Sequence, residues 1–132
     1  MWSTALKHSG FNMYKLTITV KPSELVSFTV GKGLNQVSND KLLTHFESER
    51  ENAIWYHLSK STSCHVVVFP KPTREQQAEV DKAIIDKFFE KSSVLKKNKD
   101  PCVMCCEFKN VKKTETLGLV KTCNARYIKQ YA

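Results

Sequence analysis

Ala53-Ile54-Trp55-Tyr56-His57-Leu58, followed after four polar residues by Ser63-Cys64-His65-Val66-Val67-Val68-Phe69, is the stretch whose reading decides the fold. Both runs are rich in β-branched and aromatic residues, and Ser59-Lys60-Ser61-Thr62 separates them, the pattern of two strands joined by a short turn. Successive strand residues point to opposite faces, so Trp55 and His57 share one face of the first strand while Ile54, Tyr56 and Leu58 take the other. On the second strand His65, Val67 and Phe69 share a face. A short connection pairs residues equidistant from its midpoint, here between Lys60 and Ser61. The expected register therefore sets Tyr56 opposite His65 and His57 opposite Cys64. The two imidazoles then face apart, and bringing them together takes a slip of one residue.

Upstream, residues 1–12 show no period and are expected to form a loosely held arm, leaving a single domain over 13–132. Tyr14, Leu16, Ile18 and Val20 alternate with polar neighbours and predict a strand, Lys21-Pro22-Ser23 turns it, and residues 25–30 predict another. Gly31-Lys32-Gly33 then reads as an ordinary glycine-rich turn, because the full spacing of a phosphate-cradling loop is absent. Asn35-Gln36-Val37-Ser38-Asn39-Asp40 is dense in capping residues, and Leu42, Leu43 and Phe46 follow at helical spacing. A short helix is expected to begin near Ser38 or Asn39. The charged residues 47–52 form the approach to the central pair.

Downstream, Pro70-Lys71-Pro72 stops the second strand, and Thr73-Arg74-Glu75-Gln76 fits a capping box with Gln76 reaching back to Thr73. Val80, Ala83, Ile84, Ile85, Phe88 and Phe89 draw a stripe near period 3.6, which predicts one long helix over 74–91. Residues 102–108, 117–121 and 126–129 read as further strands, with Lys109-Asn110-Val111-Lys112-Lys113 continuing or turning the first of them. The fold class is α+β: a single domain with a mixed, mostly antiparallel sheet, one long helix and one short helix.

Charge is lopsided. Residues 1–90 carry a net +1, whereas residues 91–132 supply +7 of the total +8. Clustered lysine and arginine favour a polyanionic partner, because neutralised phosphates release their counterions. No apolar run approaches the roughly 18 residues of a membrane span, and the N-terminus lacks a secretory pattern, so the expectation is a cytoplasmic or nuclear protein. Five cysteines, Cys64, Cys102, Cys105, Cys106 and Cys123, are then expected to stay reduced. Cys102-x-x-Cys105 lacks the second pair a structural zinc site needs, so neither a metal nor a cofactor is expected. His57 and His65 read as core histidines bonded locally, and Trp55 reads as core rather than as a stacking platform. Tyr56, Tyr127 and Tyr131 are the better stacking candidates.

These landmarks come in an order that resembles a known family. Gly31-Lys32 with Asn39-Asp40 and Leu42, then Ile54-Trp55-Tyr56-His57, then Ser63-Cys64-His65-Val66-Val67, and finally Phe108-Lys109-Asn110-Val111-Lys112-Lys113 look like the NFACT-R domain, over roughly residues 26–130. That domain is the C-terminal module of the fibronectin-binding-protein-A-like and nuclear-export-mediator-factor-like proteins of ribosome-associated quality control. The resemblance implies RNA binding in a translation setting, without catalytic activity, in a domain expected here to stand alone. Ser63 replaces the family's usual glycine, and Leu117-Gly118 its usual Pro-Gly. Gly31, Asn39, Asp40, Trp55, His57 and His65 would be the structural landmarks. Lys32, Lys109, Lys112, Lys113 and Arg126 would contact tRNA or rRNA, with DNA a further polyanion, and Lys96, Lys97 and Lys99 would contribute flexibly. Two rival classes stand beside this: a protein-interaction adaptor within a ribosomal or other complex, and an enzyme using His57 and His65 on a nucleotide or nucleic-acid substrate.

Overall fold

A strand shut off from water on both faces must be apolar at every position rather than at alternate ones, and Val66-Val67-Val68 meets that condition. The structure, a computed structural model, describes residues 2–8 (backbone), 11–20, 24–33, 39–58, 65–89, 103–116 and 119–128. In chain order it runs β1 (Trp2–His8), β2 (Phe11–Val20), β3 (Glu24–Gly33), α1 (Asn39–His45), a 3-10 helix (Glu47–Asn52), β4 (Ile54–Leu58) and β5 (His65–Phe69). Then come α2 (Gln77–Ile84) with a π turn (Ile85–Phe89), β6 (Val103–Glu107), a 3-10 turn (Phe108–Asn110), β7 (Val111–Lys113), β8 (Val120–Thr122) and β9 (Arg126–Ile128). Seven strands form one sheet in the order β1-β2-β3-β5-β4-β6-β9, while β7 and β8 form a separate hairpin. Every ladder described is antiparallel, so the α+β class with an antiparallel-dominated sheet holds.

The sheet has a core on each face. Ile54, Tyr56 and Leu58 join Val66, Val68, Val103 and Cys105 under α2, which contributes Val80 and Ile84. Ala53, Trp55, Val67 and Cys106 meet Leu42, Leu43 and Phe46 from α1 and the residue after it, and Phe108 and Val111 close that side. Burying aliphatic and aromatic side chains on both faces removes each from water at roughly 1.5–3 kcal/mol apiece. This double cover is what holds β4 and β5 at the centre.

Three expectations change here. Residues 1–12 were expected as an arm, yet residues 2–8 form edge strand β1, and Phe11 and Asn12 already belong to β2. A register shift between Thr4 and Leu6 breaks the two-residue period that would have announced a strand. Gly31-Lys32-Gly33 is not a turn but the end of β3, paired with β2 on one side and with Val67, Val66 and His65 of β5 on the other. Gly31 is glycine for lack of room: a Cβ there would lie 2.5 Å from Phe46 Cε2 and 2.7 Å from Leu42 Cδ1. The predicted 74–91 helix begins at Gln77, after a turn in which the Thr73 N–H donates to Gln76 Oε1 at 3.0 Å, the reaching-back half of the capping box. Its second half widens into the π turn, which places Ile84, Ile85 and Phe89 on one buried face and leaves Phe88 half-buried. The expected turns at Lys21-Pro22-Ser23 and Ser59–Thr62, the lysines at 96, 97 and 99, and Cys64, Cys102 and Tyr131 lie outside the described residues.

Gly31→Ala is expected to destabilise the fold by about 1–3 kcal/mol through overpacking beneath α1. Chemical denaturation checks it; an unchanged midpoint would mean that α1 lifts off the sheet at no cost.

Candidate nucleic-acid interface

The histidines are brought together. Trp55 pairs with Val67, Tyr56 with Val66 and His57 with His65, one residue away from the register expected of a four-residue turn. Because β5 is apolar on both faces, sliding it by one residue exchanges valine for valine, so hydrophobic burial alone did not fix the register. The two imidazole rings lie 4.3 Å apart and 3° from parallel, with the Trp55 indole stacked 5.5 Å from His57 and 5.8 Å from His65. His65 is 4% exposed and Trp55 1%, and among the described residues Trp55 Nε1 and His65 Nδ1 have no hydrogen-bond partner. Burial, reinforced by the neighbouring His57, lowers the His65 pKa to about 3. It is therefore neutral throughout the physiological range, an aromatic member of the core.

On that same face the β7–β8 hairpin gathers lysines. Lys112 and Lys121 sit directly opposite one another and both are exposed. Lys113 Nζ donates to Thr44 Oγ1 of α1, and Lys109 stands exposed on the turn before β7. Like charges placed opposite each other on paired strands cost a few tenths to about 1 kcal/mol, a cost that an anion between them removes. The hairpin is fastened by Arg50, whose Nη2 donates to the carbonyls of Lys109 at 3.1 Å and Val111 at 2.9 Å. The Arg50 guanidinium also lies 5.3 Å from the Phe108 ring centre and bonds Glu47 at 3.3 Å. Lys121 was not singled out from sequence; its partner becomes visible only once residues 111–113 and 120–122 are read as one hairpin around Thr114-Glu115-Thr116.

The other two cations singled out lie across the sheet. Lys32 Nζ is 5.5 Å from the centre of the Phe88 ring, on the α2 side. Arg126 Nη1 donates to Asp81 Oδ2 at 3.0 Å, and its Nη2 donates to Asp81 Oδ1 at 3.3 Å and to Cys105 Sγ at 3.2 Å. Tyr56 Oη donates to Asp81 Oδ1 at 2.6 Å, and Gln77 Nε2 donates to Asp81 Oδ1 at 2.7 Å and to Tyr56 Oη at 3.1 Å. Burial above all holds Tyr56 well above its ordinary pKa and, against the lowering pull of Arg126, pushes the Cys105 thiol up to about 12, so both keep their protons. Arg126 thus completes a buried network at the wall of a cavity of about 350 Å³.

The remaining landmarks are structural in position. Gly31 lies beneath α1, Asn39 is fully buried at the start of α1, and half-buried Asp40 lines a shallow apolar cleft with Phe11, Lys41, Thr44 and His45. Of the stacking candidates, Tyr56 is buried and Tyr127 is 51% exposed on β9. No group of three metal-ligating side chains occurs among the described residues. No helix among them is long and apolar enough to cross a membrane.

No protein-family model matches the sequence, and no curated protein matches it. Among solved structures, the chain is similar to the C-terminal part of the fibronectin/fibrinogen-binding protein from Streptococcus suis, with a TM-score of 0.55 at 17% sequence identity. The match covers 86% of this chain and spans 43% of the length of that one. The two share a fold.

The depressed His65 pKa fixes a pH dependence. Below pH 6.5 the unfolded chain takes up a proton that the folded chain refuses, so stability falls as pH drops from 6.5 toward 3, by about 1.4 kcal/mol per unit. Acid denaturation of His65→Gln should be shallower by one proton; parallel curves for variant and parent would remove His65 from the acid limb.

Proposed function

We propose that this chain is an RNA-binding module of the NFACT-R type, non-enzymatic, acting in the cytoplasm on tRNA or rRNA in a translation or ribosome quality-control setting. The observation that carries the reading is the β7–β8 hairpin, where Lys112 opposes Lys121 and Lys109 and Lys113 flank them. Four ammonium groups on one short element, two of them facing across a ladder, suit successive phosphates of a backbone, which lysine meets as a point charge. The hairpin is anchored to the body through backbone carbonyls, which leaves the side chains of Lys109, Lys112 and Lys121 available to a ligand, while Lys113 also bonds Thr44 of α1. The shared fold with the C-terminal part of a fibronectin/fibrinogen-binding protein supports the family reading at the level of architecture. Lys32 and Arg126 fall outside this surface, so phosphate contact is assigned to Lys109, Lys112, Lys113 and Lys121.

The test is an electrophoretic-mobility titration with tRNA, an rRNA fragment and duplex DNA across salt concentrations. Lys112→Ala combined with Lys121→Ala should weaken RNA binding by about tenfold and flatten the slope of log K against log salt by about one to two. Affinity that ignores salt, or that survives both substitutions, would overturn the assignment. Equal affinity for duplex DNA would replace RNA by polyanions in general.

A further inference from the structure

The cavity on the α2 side is backed by a buried polar network. Asp81, whose side chain is 7% exposed, accepts hydrogen bonds from Tyr56, Gln77 and both terminal nitrogens of Arg126, so its acceptor capacity is filled from within the protein. That holds Arg126, with its side chain 47% exposed, at the cavity wall. A guanidinium has five N–H donors, and the three described contacts of Arg126 leave two of them over. Lys71, Arg74 and Asn124 line the same cavity. Lys71 bonds Glu107 at 2.5 Å, and that bond is the main reason the Glu107 carboxyl lies below its ordinary range. Arg74 and the Asn124 side chain make no hydrogen bond or ion pair with any described residue. The carboxylate at the wall, Glu107, and the one behind Arg126, Asp81, are therefore answered, and one guanidinium and one amide are not.

We infer that this cavity binds the phosphate ester of a single nucleotide, with Arg74, Arg126 and Asn124 as its donors. A planar carboxylate is best met by the parallel fork of one arginine; the fork of Arg126 is already occupied by Asp81, so a carboxylate would take Arg74 alone and leave Arg126 and Asn124 unused. The donors that remain come from three separate places: the turn before α2, strand β9 and the turn between β8 and β9. A tetrahedral oxyanion with three outward oxygens can bridge such a set. A volume of about 350 Å³ is at the small end of ligand cavities and is of nucleotide size, and Ile54, Pro72 and the neutral Cys105 thiol give the rest of the ligand an apolar wall. The site stands across the sheet from the lysine hairpin, and its assignment does not rest on the RNA reading.

Calorimetric titration of the full chain tests it, with adenosine 5′-monophosphate and adenosine as probes. The monophosphate should bind at least about tenfold tighter than adenosine, and Arg74→Ala should remove about tenfold of that affinity while leaving the melting temperature in place. Asn124→Gly, which suits the backbone φ of 57° at that position, should weaken binding in the same direction. Lys112→Ala with Lys121→Ala should leave monophosphate binding unchanged, which separates this site from the hairpin. An oligoribonucleotide that binds tighter with a 5′-phosphate than with a 5′-hydroxyl identifies a strand end as the source of the ester, and indifference identifies the free nucleotide. Equal affinity for adenosine and its monophosphate, no binding of either, or an Arg74→Ala variant that binds like the parent would overturn the inference.

Discussion

Val66, Val67 and Val68 are each inaccessible to solvent although successive residues of a strand point to opposite faces, so β5 is covered on both sides. A strand so placed leaves its polar residues no watered face to turn to. His65 stacks against His57 and Trp55 as a neutral ring, and Tyr56 donates its hydroxyl proton to Asp81 on α2. The Tyr56 bond answers a polar group whose orphaning would cost about 1–3 kcal/mol, whereas His65 limits its cost by staying uncharged, with Nδ1 unpartnered among the described residues. The rest of the molecule supplies the two covers: α2 with its π turn on one face, and α1 with the β7–β8 hairpin on the other.

That arrangement sorts charge as well. With β4 and β5 covered on both faces, the cations lie outside these two strands, and two unlike groups stand out. The hairpin lysines stand in water, with the Lys113 ammonium also touching Thr44 of α1. Arg126 is instead tied to a buried acid, a thiol and, through Asp81, to Gln77 and Tyr56. The first group suits a long, repeating ligand gripped loosely at many points. The second suits a small one held at a fixed place.

Much of this was legible in the sequence, for identifiable reasons. Strands β4 and β5 announce themselves through β-branched runs bounded by polar turns, the start of α1 through its capping residues, and the turn before α2 through Thr73 and Gln76. What escaped was whatever depends on two segments at once. The register of β4 against β5 rested on three consecutive valines that carry no facial information. Gly31 looked like a turn because its neighbours in space, Leu42 and Phe46, lie well downstream in the chain. Lys121 had no meaning until the hairpin set it opposite Lys112. Arg126 was grouped with the hairpin cations because its partner Asp81, 45 residues away, is invisible to a count of basic residues.

The way Arg50 holds the hairpin has a consequence for how this surface can change. Its guanidinium grips the carbonyl oxygens of Lys109 and Val111, atoms that every amino acid possesses. Side chains at 109, 112 and 121 can then be exchanged one at a time without loosening the anchor. Attachment and recognition are thereby decoupled. A module built in this way can be retuned from one polyanion to another by surface substitutions alone, provided that Arg50 and the buried Phe108 and Val111 are kept.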